Sequence, residues 1–162
     1  MIKITKYLII LVLTIISSQT FSQLNKKEVT PITTRILFVM DASRSMTGKW
    51  QGESKYVIAR TILSQILDSI ADIDNLQVAL RVYGHTRNFP PQNCNDTRLE
   101  IPFSDDNIGE IKHRLKQLSP KGTSPIANSL LKSKNDFTAC GNCRNIIILI
   151  TDGIEECGGD IC

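Results

Sequence analysis

Two unbroken apolar runs constrain this chain more than any other feature: Ile36-Leu37-Phe38-Val39-Met40, which leads into Asp41, and Ile146-Ile147-Ile148-Leu149-Ile150, which leads into Thr151-Asp152. A half-exposed strand alternates apolar with polar residues, whereas runs of this kind suit strands buried on both faces of a parallel sheet. Each run carries its Asp to the carboxyl end of a strand, where ligands bind in open α/β sheets.

The segments between the runs supply the rest of such a sheet. Residues 54–71 repeat Ile58, Ile62, Ile66 and Ile70 at every fourth position, with Leu63 and Leu67 widening the stripe, which predicts a helix packed by one face. Leu76, Val78, Leu80 and Val82 alternate with Gln77, Ala79, Arg81 and Tyr83, a second strand that ends near Gly84 and His85. Residues 87–96 form a loop, and Thr97–Phe103 alternates again; a connection this short, with no helix, predicts an antiparallel edge neighbour. Asp105 or Asp106 can cap a helix carrying Ile108, Ile111, Leu115 and Leu118 on one face. After Ser119-Pro120-Lys121-Gly122, Ser124 caps and Pro125 opens a further helix to about Asn135. The order strand, helix, strand, strand, helix, helix, strand predicts an α/β fold: a doubly wound, mostly parallel sheet with helices on both faces.

The first run continues as Asp41-Ala42-Ser43-Arg44-Ser45. In a loop leaving a strand, Asp41, Ser43 and Ser45 can turn toward one centre while Ala42 and Arg44 point away. Oxygen donors without Cys or His select a hard cation, and a small donor set completed by water suits Mg2+ better than Ca2+, with Mn2+ as a substitute. Gly122-Thr123-Ser124-Pro125 places a hydroxyl just before a helix, and Thr151-Asp152-Gly153 places a second carboxylate at a strand end.

These three segments, in this order, resemble the von Willebrand factor A domain and its metal-ion-dependent adhesion site, whose pattern is Asp-x-Ser-x-Ser, then a Thr, then an Asp. The resemblance implies that Asp41, Ser43, Ser45, Thr123 and Asp152 are the metal ligands, some directly and some through water. It also implies a binding role, in which a carboxylate of a partner protein completes the metal's coordination. In that family the strand of the second run lies inside a six-stranded sheet. Here the chain stops ten residues past Asp152, so the resemblance implies a partial domain over residues 35–162 with its last strands missing. The rival reading is a metal-assisted phosphohydrolase with Asp41 as nucleophile. The phosphatases that use a strand-end Asp have a second Asp two residues on, where this chain has Ser43, so a non-enzyme is expected.

Residues 1–22 read as a cleavable secretory leader: Lys3 and Lys6, an apolar stretch from Tyr7 to Ile16, then polar residues to Ser22. That stretch is well short of the roughly 20 residues a spanning helix needs, so no membrane span is expected after cleavage. A secreted, periplasmic or cell-surface protein follows, with residues 23–34 as a linker into the domain. Removing residues 1–22 takes two lysines and no acids, changing the net charge from +3 to +1, which advertises no nucleic-acid surface.

All five cysteines lie after residue 93, and export favours disulfides. Cys140-Gly141-Asn142-Cys143 reads first as a structural bridge, with a redox pair or half a zinc site as alternatives. Cys157 and Cys162 flank Gly158-Gly159 and are expected to pair locally, leaving Cys94 odd. Near the metal face, Lys49, Trp50, His85 and Arg87 are expected on loops, with Trp50 as a candidate recognition anchor. Glu155 and Glu156 read as a solvated acidic turn.

Overall fold

The structure is a computed structural model that describes residues 30–160. The expected leader, the linker up to Val29, and Cys162 lie outside the described residues.

Among the described residues four strands form the main sheet, in the order Thr97–Ser104, Leu76–Tyr83, Thr33–Asp41, Cys143–Ile150. β1 (Thr33–Asp41) is central and runs parallel to both β4 (Leu76–Tyr83) and β6 (Cys143–Ile150), while β5 (Thr97–Ser104) is the expected antiparallel edge. The pleat of β1 sends its side chains alternately to two cores. Phe38 and Met40 pack under α1 (Lys55–Ser69) and α2 (Ile108–Gln117), with Leu63, Leu67, Ile111 and Leu115. Leu37 and Val39 face α3 (Ile126–Ser133), with Ala79, Tyr83 and Ile126. Helices therefore cover both faces, as the α/β reading requires.

Several local expectations change. Residues 42–53, read as a plain loop, contain a 3-10 turn over Arg44–Thr47 and a hairpin of β2 (Lys49–Trp50) and β3 (Glu53–Ser54). The hairpin reverses through Gln51 and Gly52, at φ 53° and 92°, a left-handed pair that matches the twist of two short strands. Ser54 caps α1 by accepting from the Val57 amide at 3.2 Å. The buried stripe of α1 is Tyr56, Leu63 and Leu67, whereas Ile62 and Ile66 are exposed. The helix is apolar around more than half its girth, and periodicity alone could not say which side meets the sheet.

β6 departs most from expectation. Its Ile-Ile-Ile-Leu-Ile run was expected to be buried on both faces, yet Ile146, Ile147 and Ile148 are 36–40% exposed. Among the described residues β6 pairs with β1 alone. Ile58, Ile62, Ile66, Ile148 and Ile150 line an open apolar cavity of about 360 Å³ that reaches Trp50, Lys55 and Asp152.

Two expected caps are replaced. Neither Asp105 nor Asp106 caps α2. Asn107 sits at its start, buried, and donates its side-chain amide to the Val78 and Pro102 carbonyls at 2.9 and 2.7 Å, tying the helix to β4 and β5. Ser124 does not cap α3, which begins at Ile126; the Glu155 carboxylate accepts from the Ala127 amide in its first turn instead. α3 ends at Ser133 and passes into a 3-10 turn, Lys134–Asp136. There Asp136 pairs with the buried Arg81 guanidinium through two contacts of 2.6 and 2.7 Å.

Cysteine pairing is half as expected. Cys140 and Cys143 are bonded. Cys157 is bonded to Cys94 across 63 residues, which overturns both the Cys157–Cys162 pair and the odd Cys94. The fold brings the 87–96 loop against the segment after Asp152, a proximity that sequence separation conceals.

Candidate metal centre

Asp41 ends β1, and its position in mid-sheet buries the carboxylate completely. One oxygen accepts from the Ser43 amide at 2.8 Å and the other from the Thr151 hydroxyl at 2.8 Å. Burial pushes the Asp41 pKa above the usual carboxylate range, although hydrogen bonds from Ser43 and Thr151 oppose it. Thr151 was not singled out as a site residue. The signal was present in the repeated pattern of an apolar strand followed by Thr-Asp-Gly.

From Asp41 the polar contacts run on through the expected donors. The Ser43 and Ser45 hydroxyls lie 3.0 Å apart, and Ser45 donates to Asp152 Oδ1 at 2.8 Å. The other Asp152 oxygen meets the Lys55 ammonium at 2.6 Å. Ala42 is buried and Arg44 is exposed with its guanidinium 4.5 Å from the Phe89 ring centre, so the alternation places Asp41, Ser43 and Ser45 on one side as expected. Lys55 is a second participant that sequence reading missed. A lysine in the first turn of a helix opposes the helix dipole, and that was the available clue.

Thr123 arrives from a different direction. A parallel bridge joins Ser43 to Gly122, and the Arg44 amide donates to the Gly122 carbonyl at 2.9 Å. Gly84, at the end of β4 with φ +71°, makes this approach feasible. A Cβ there would come within 2.6 Å of Ser43 Cα and 2.7 Å of the Thr123 carbonyl. The Thr123 hydroxyl is not hydrogen-bonded to the other four side chains; it accepts from the Asn93 amide at 2.9 Å. Four of the five expected residues thus form one bonded series, and the fifth is brought alongside through its backbone.

The donor chemistry fits a hard cation: two carboxylates and three hydroxyls, with no sulfur or imidazole. Asp41, Ser43 and Thr123 are buried, while Ser45 is exposed, so the group opens to solvent on one side only. His85 stands apart from it, because its Nε2 contacts Glu100 at 2.7 Å and both side chains are buried. Burial pushes the Glu100 pKa up, but hydrogen bonds from His85, Arg98 and Arg114 outweigh it and hold the carboxyl far below the usual range. Trp50 is 60% exposed on the hairpin, beside the cavity that reaches Asp152.

Carboxylate- and hydroxyl-bearing loops gather at the carboxyl ends of the parallel strands of an α/β domain with helices on both faces. The chain belongs to the von Willebrand factor type A domain family, which it matches over residues 36–155. It is 32% identical over 132 residues to the uncharacterised protein YwmD of Bacillus subtilis strain 168, covering 78% of this chain and 58% of YwmD. The chain thus spans little more than half the length of that relative. The conserved hypothetical protein BatB of Bacteroides thetaiotaomicron shares the fold with a TM-score of 0.61 at 24% identity, over 78% of this chain and 57% of BatB. So does the pilus adhesin SpaC of Lactobacillus rhamnosus GG, with a TM-score of 0.62 at 20% identity, over 80% of this chain and 16% of SpaC. Among the described residues no helix is long and apolar enough to cross a membrane.

Proposed function

We propose that this chain is an exported protein-binding module whose recognition depends on a divalent cation, Mg2+ in the first instance, held by Asp41, Ser43, Ser45, Thr123 and Asp152. The observation that carries the proposal is the bonded series from buried Asp41 through Ser43 and Ser45 to Asp152, all oxygen donors, at the carboxyl ends of β1 and β6. Bound there, the cation would supply an electrophilic position for a carboxylate of a partner protein, since two ligand carboxylates leave a dication close to neutral. The residues do the remaining work. Asp41 is held in orientation by the Ser43 amide and Thr151, Ser45 links the two halves of the site, and exposed Trp50 offers an aromatic contact at the rim. Support for an exported setting comes from the leader-like residues 1–22 and the disulfides. The adhesin SpaC offers a precedent for the fold in an adhesive protein.

Binding is favoured over phosphoryl chemistry by the surroundings of Asp41. The phosphatases that use a strand-end Asp have a second Asp two residues on, and here that place is taken by Ser43, whose amide bonds Asp41 at 2.8 Å. His85, a candidate general base, is engaged with Glu100 and stands apart from the group.

Calorimetric titration of the chain with Mg2+ tests the reading, with Asp41→Ala as control, followed by pull-down of surface proteins with and without chelator. Saturable binding lost in the variant, and capture lost on chelation, are expected. Capture indifferent to chelator rejects a metal-bridged mechanism.

A further inference from the structure

Thr123 is the one expected ligand that the bonded series does not reach: Gly122 carries its backbone to the group, and what orients its hydroxyl lies outside the series. Two segments meet around it: one bonds its hydroxyl, and the other bonds Ser124 and Ala127, which follow it in the chain. On one side, the 87–96 loop donates the Asn93 amide to the Thr123 hydroxyl at 2.9 Å. That loop is itself rigid: buried Asp96 accepts from the Thr86 amide, the Thr86 hydroxyl and the Arg87 amide at 2.6–3.1 Å. Gly122 fits so closely against it that a Cβ would stand 2.7 Å from both Asp96 Oδ2 and the Arg87 carbonyl.

On the other side runs the segment that follows Asp152. The Glu156 carboxylate accepts from the Ser124 amide at 2.8 Å, and the Glu156 amide donates to the Ser124 carbonyl at 3.1 Å. The Glu155 carboxylate accepts from the Ala127 amide at 2.7 Å and from the Cys157 amide at 2.7 Å. The Glu155 bond satisfies an amide in the first turn of α3 that no side chain of α3 itself caps, the Glu156 bonds fix Ser124 just before the helix, and the negative charges suit the helix dipole. Gly159 lies so near Ala127 that any Cβ would collide with it. The Cys94–Cys157 disulfide then joins the two sides, and Gln92 donates to the Glu156 carbonyl beside it.

We propose that Glu155–Cys157 is a positioning strap for Thr123. Fastened to the 87–96 loop by Cys94–Cys157, it closes a clamp that holds the Thr123 hydroxyl at the metal-binding face. Asp41 is placed by β1, and Ser43 and Ser45 by the 3-10 turn that follows it; the Thr123 hydroxyl, on a loop before a short helix, is bonded by the 87–96 loop instead. The relevance of Thr123 rests on the metal-binding reading above, whereas the clamp itself is a property of the fold.

The test compares the full chain with a Cys94→Ser, Cys157→Ser double variant and with Glu156→Gln, which keeps the disulfide and the side-chain shape. Amide hydrogen exchange is read at Asn93, Ser124, Ala127 and Ser43, and Mg2+ affinity by calorimetry. In the double variant, exchange at Asn93, Ser124 and Ala127 is expected to quicken about tenfold or more while Ser43 is unchanged, with Mg2+ binding weakened about tenfold. Glu156→Gln is expected to quicken Ser124 alone, because it loses a charge-assisted bond. Unchanged exchange at Ser124 and Asn93 in the double variant overturns the clamp, as does quickened exchange with undiminished Mg2+ affinity. If the unaltered chain binds no Mg2+, the metal reading fails by itself, and the strap is judged on exchange alone.

Discussion

Asp41 and Asp152 follow the same kind of apolar run, on neighbouring parallel strands, yet the fold treats them differently. β1 has a partner on each side and a helix layer on each face, so Asp41 is fully buried and its contacts stay within the fold. β6 has one partner among the described residues, and Asp152 meets a lysine that is itself 36% exposed. A shared local pattern thus gives one carboxylate fixed by packing and another held by a solvent-facing ion pair. The central half of the site should respond to substitution as core, and the β6 half as surface.

The sharpest contrast is expected at two glycines. Gly84→Ala would place a Cβ against the backbone of both Ser43 and Thr123 at a left-handed φ, costing about 4 kcal/mol from strain and overpacking together. Gly52→Ala, also at positive φ but with open space around it, should cost about 1 kcal/mol. Urea denaturation of the two variants measures both. Equal losses would mean that β4 does not cradle the site.

Next in size comes a pair of facing residues. Leu37 on β1 and Ile147 on β6 are register partners, one fully buried and the other 40% exposed. Leu37→Ala should cost about 3 kcal/mol and Ile147→Ala about 1 kcal/mol, read as changes in denaturation midpoint. A loss at Ile147 matching that at Leu37 would show that something covers β6 in solution.

The aspartates themselves follow. Without added metal, Asp41→Ala strands the Ser43 amide and the Thr151 hydroxyl, for a loss of about 2 kcal/mol; Asp152→Ala should cost about 0.5 kcal/mol. The pH response separates them further. Because burial raises the Asp41 pKa, the folded state holds that proton more tightly than the unfolded chain. The metal-free protein should therefore lose stability as pH rises from the ordinary carboxylate pKa through the raised value, and Asp41→Asn should flatten that part of the profile. Glu100 provides the opposite sign, since its depressed pKa gives stability that is present above the ordinary value and lost as pH falls.

The smallest effect is expected at Lys55. The ammonium end of its pair with Asp152 is partly exposed, so Lys55→Met should change stability by less than about 0.5 kcal/mol by thermal melting. Since the ammonium competes for Asp152, the same variant should bind Mg2+ a few-fold more tightly in calorimetry. Weaker binding would make Lys55 a support of the site and not a competitor.

Much of this was legible in the chain. The uninterrupted run before Asp41 marked a central strand, alternation from Thr97 to Phe103 marked the antiparallel edge, and the spacing of Asp41, Ser43 and Ser45 put three oxygens on one side of a loop. These are local properties, governed by periods of two residues and by the backbone of a single turn. The run at Ile146 misled in one respect: apolar sequence shows that a strand can be buried, whereas exposure depends on which strands stand beside it. Lys55 near Asp152, Thr151 on Asp41, Cys94 bonded to Cys157, Glu155 on Ala127 and Glu156 on Ser124 each join residues 28 to 110 positions apart. No period or motif encodes such contacts. The sequence by itself determined the four strands of the main sheet, the α/β class and the grouping of Asp41, Ser43 and Ser45, because short-range sterics and hydrophobic patterning suffice for these. Only the tertiary structure decided which carboxylate is buried and which residues hold Thr123, because burial and long-range pairing exist only once the chain has closed on itself.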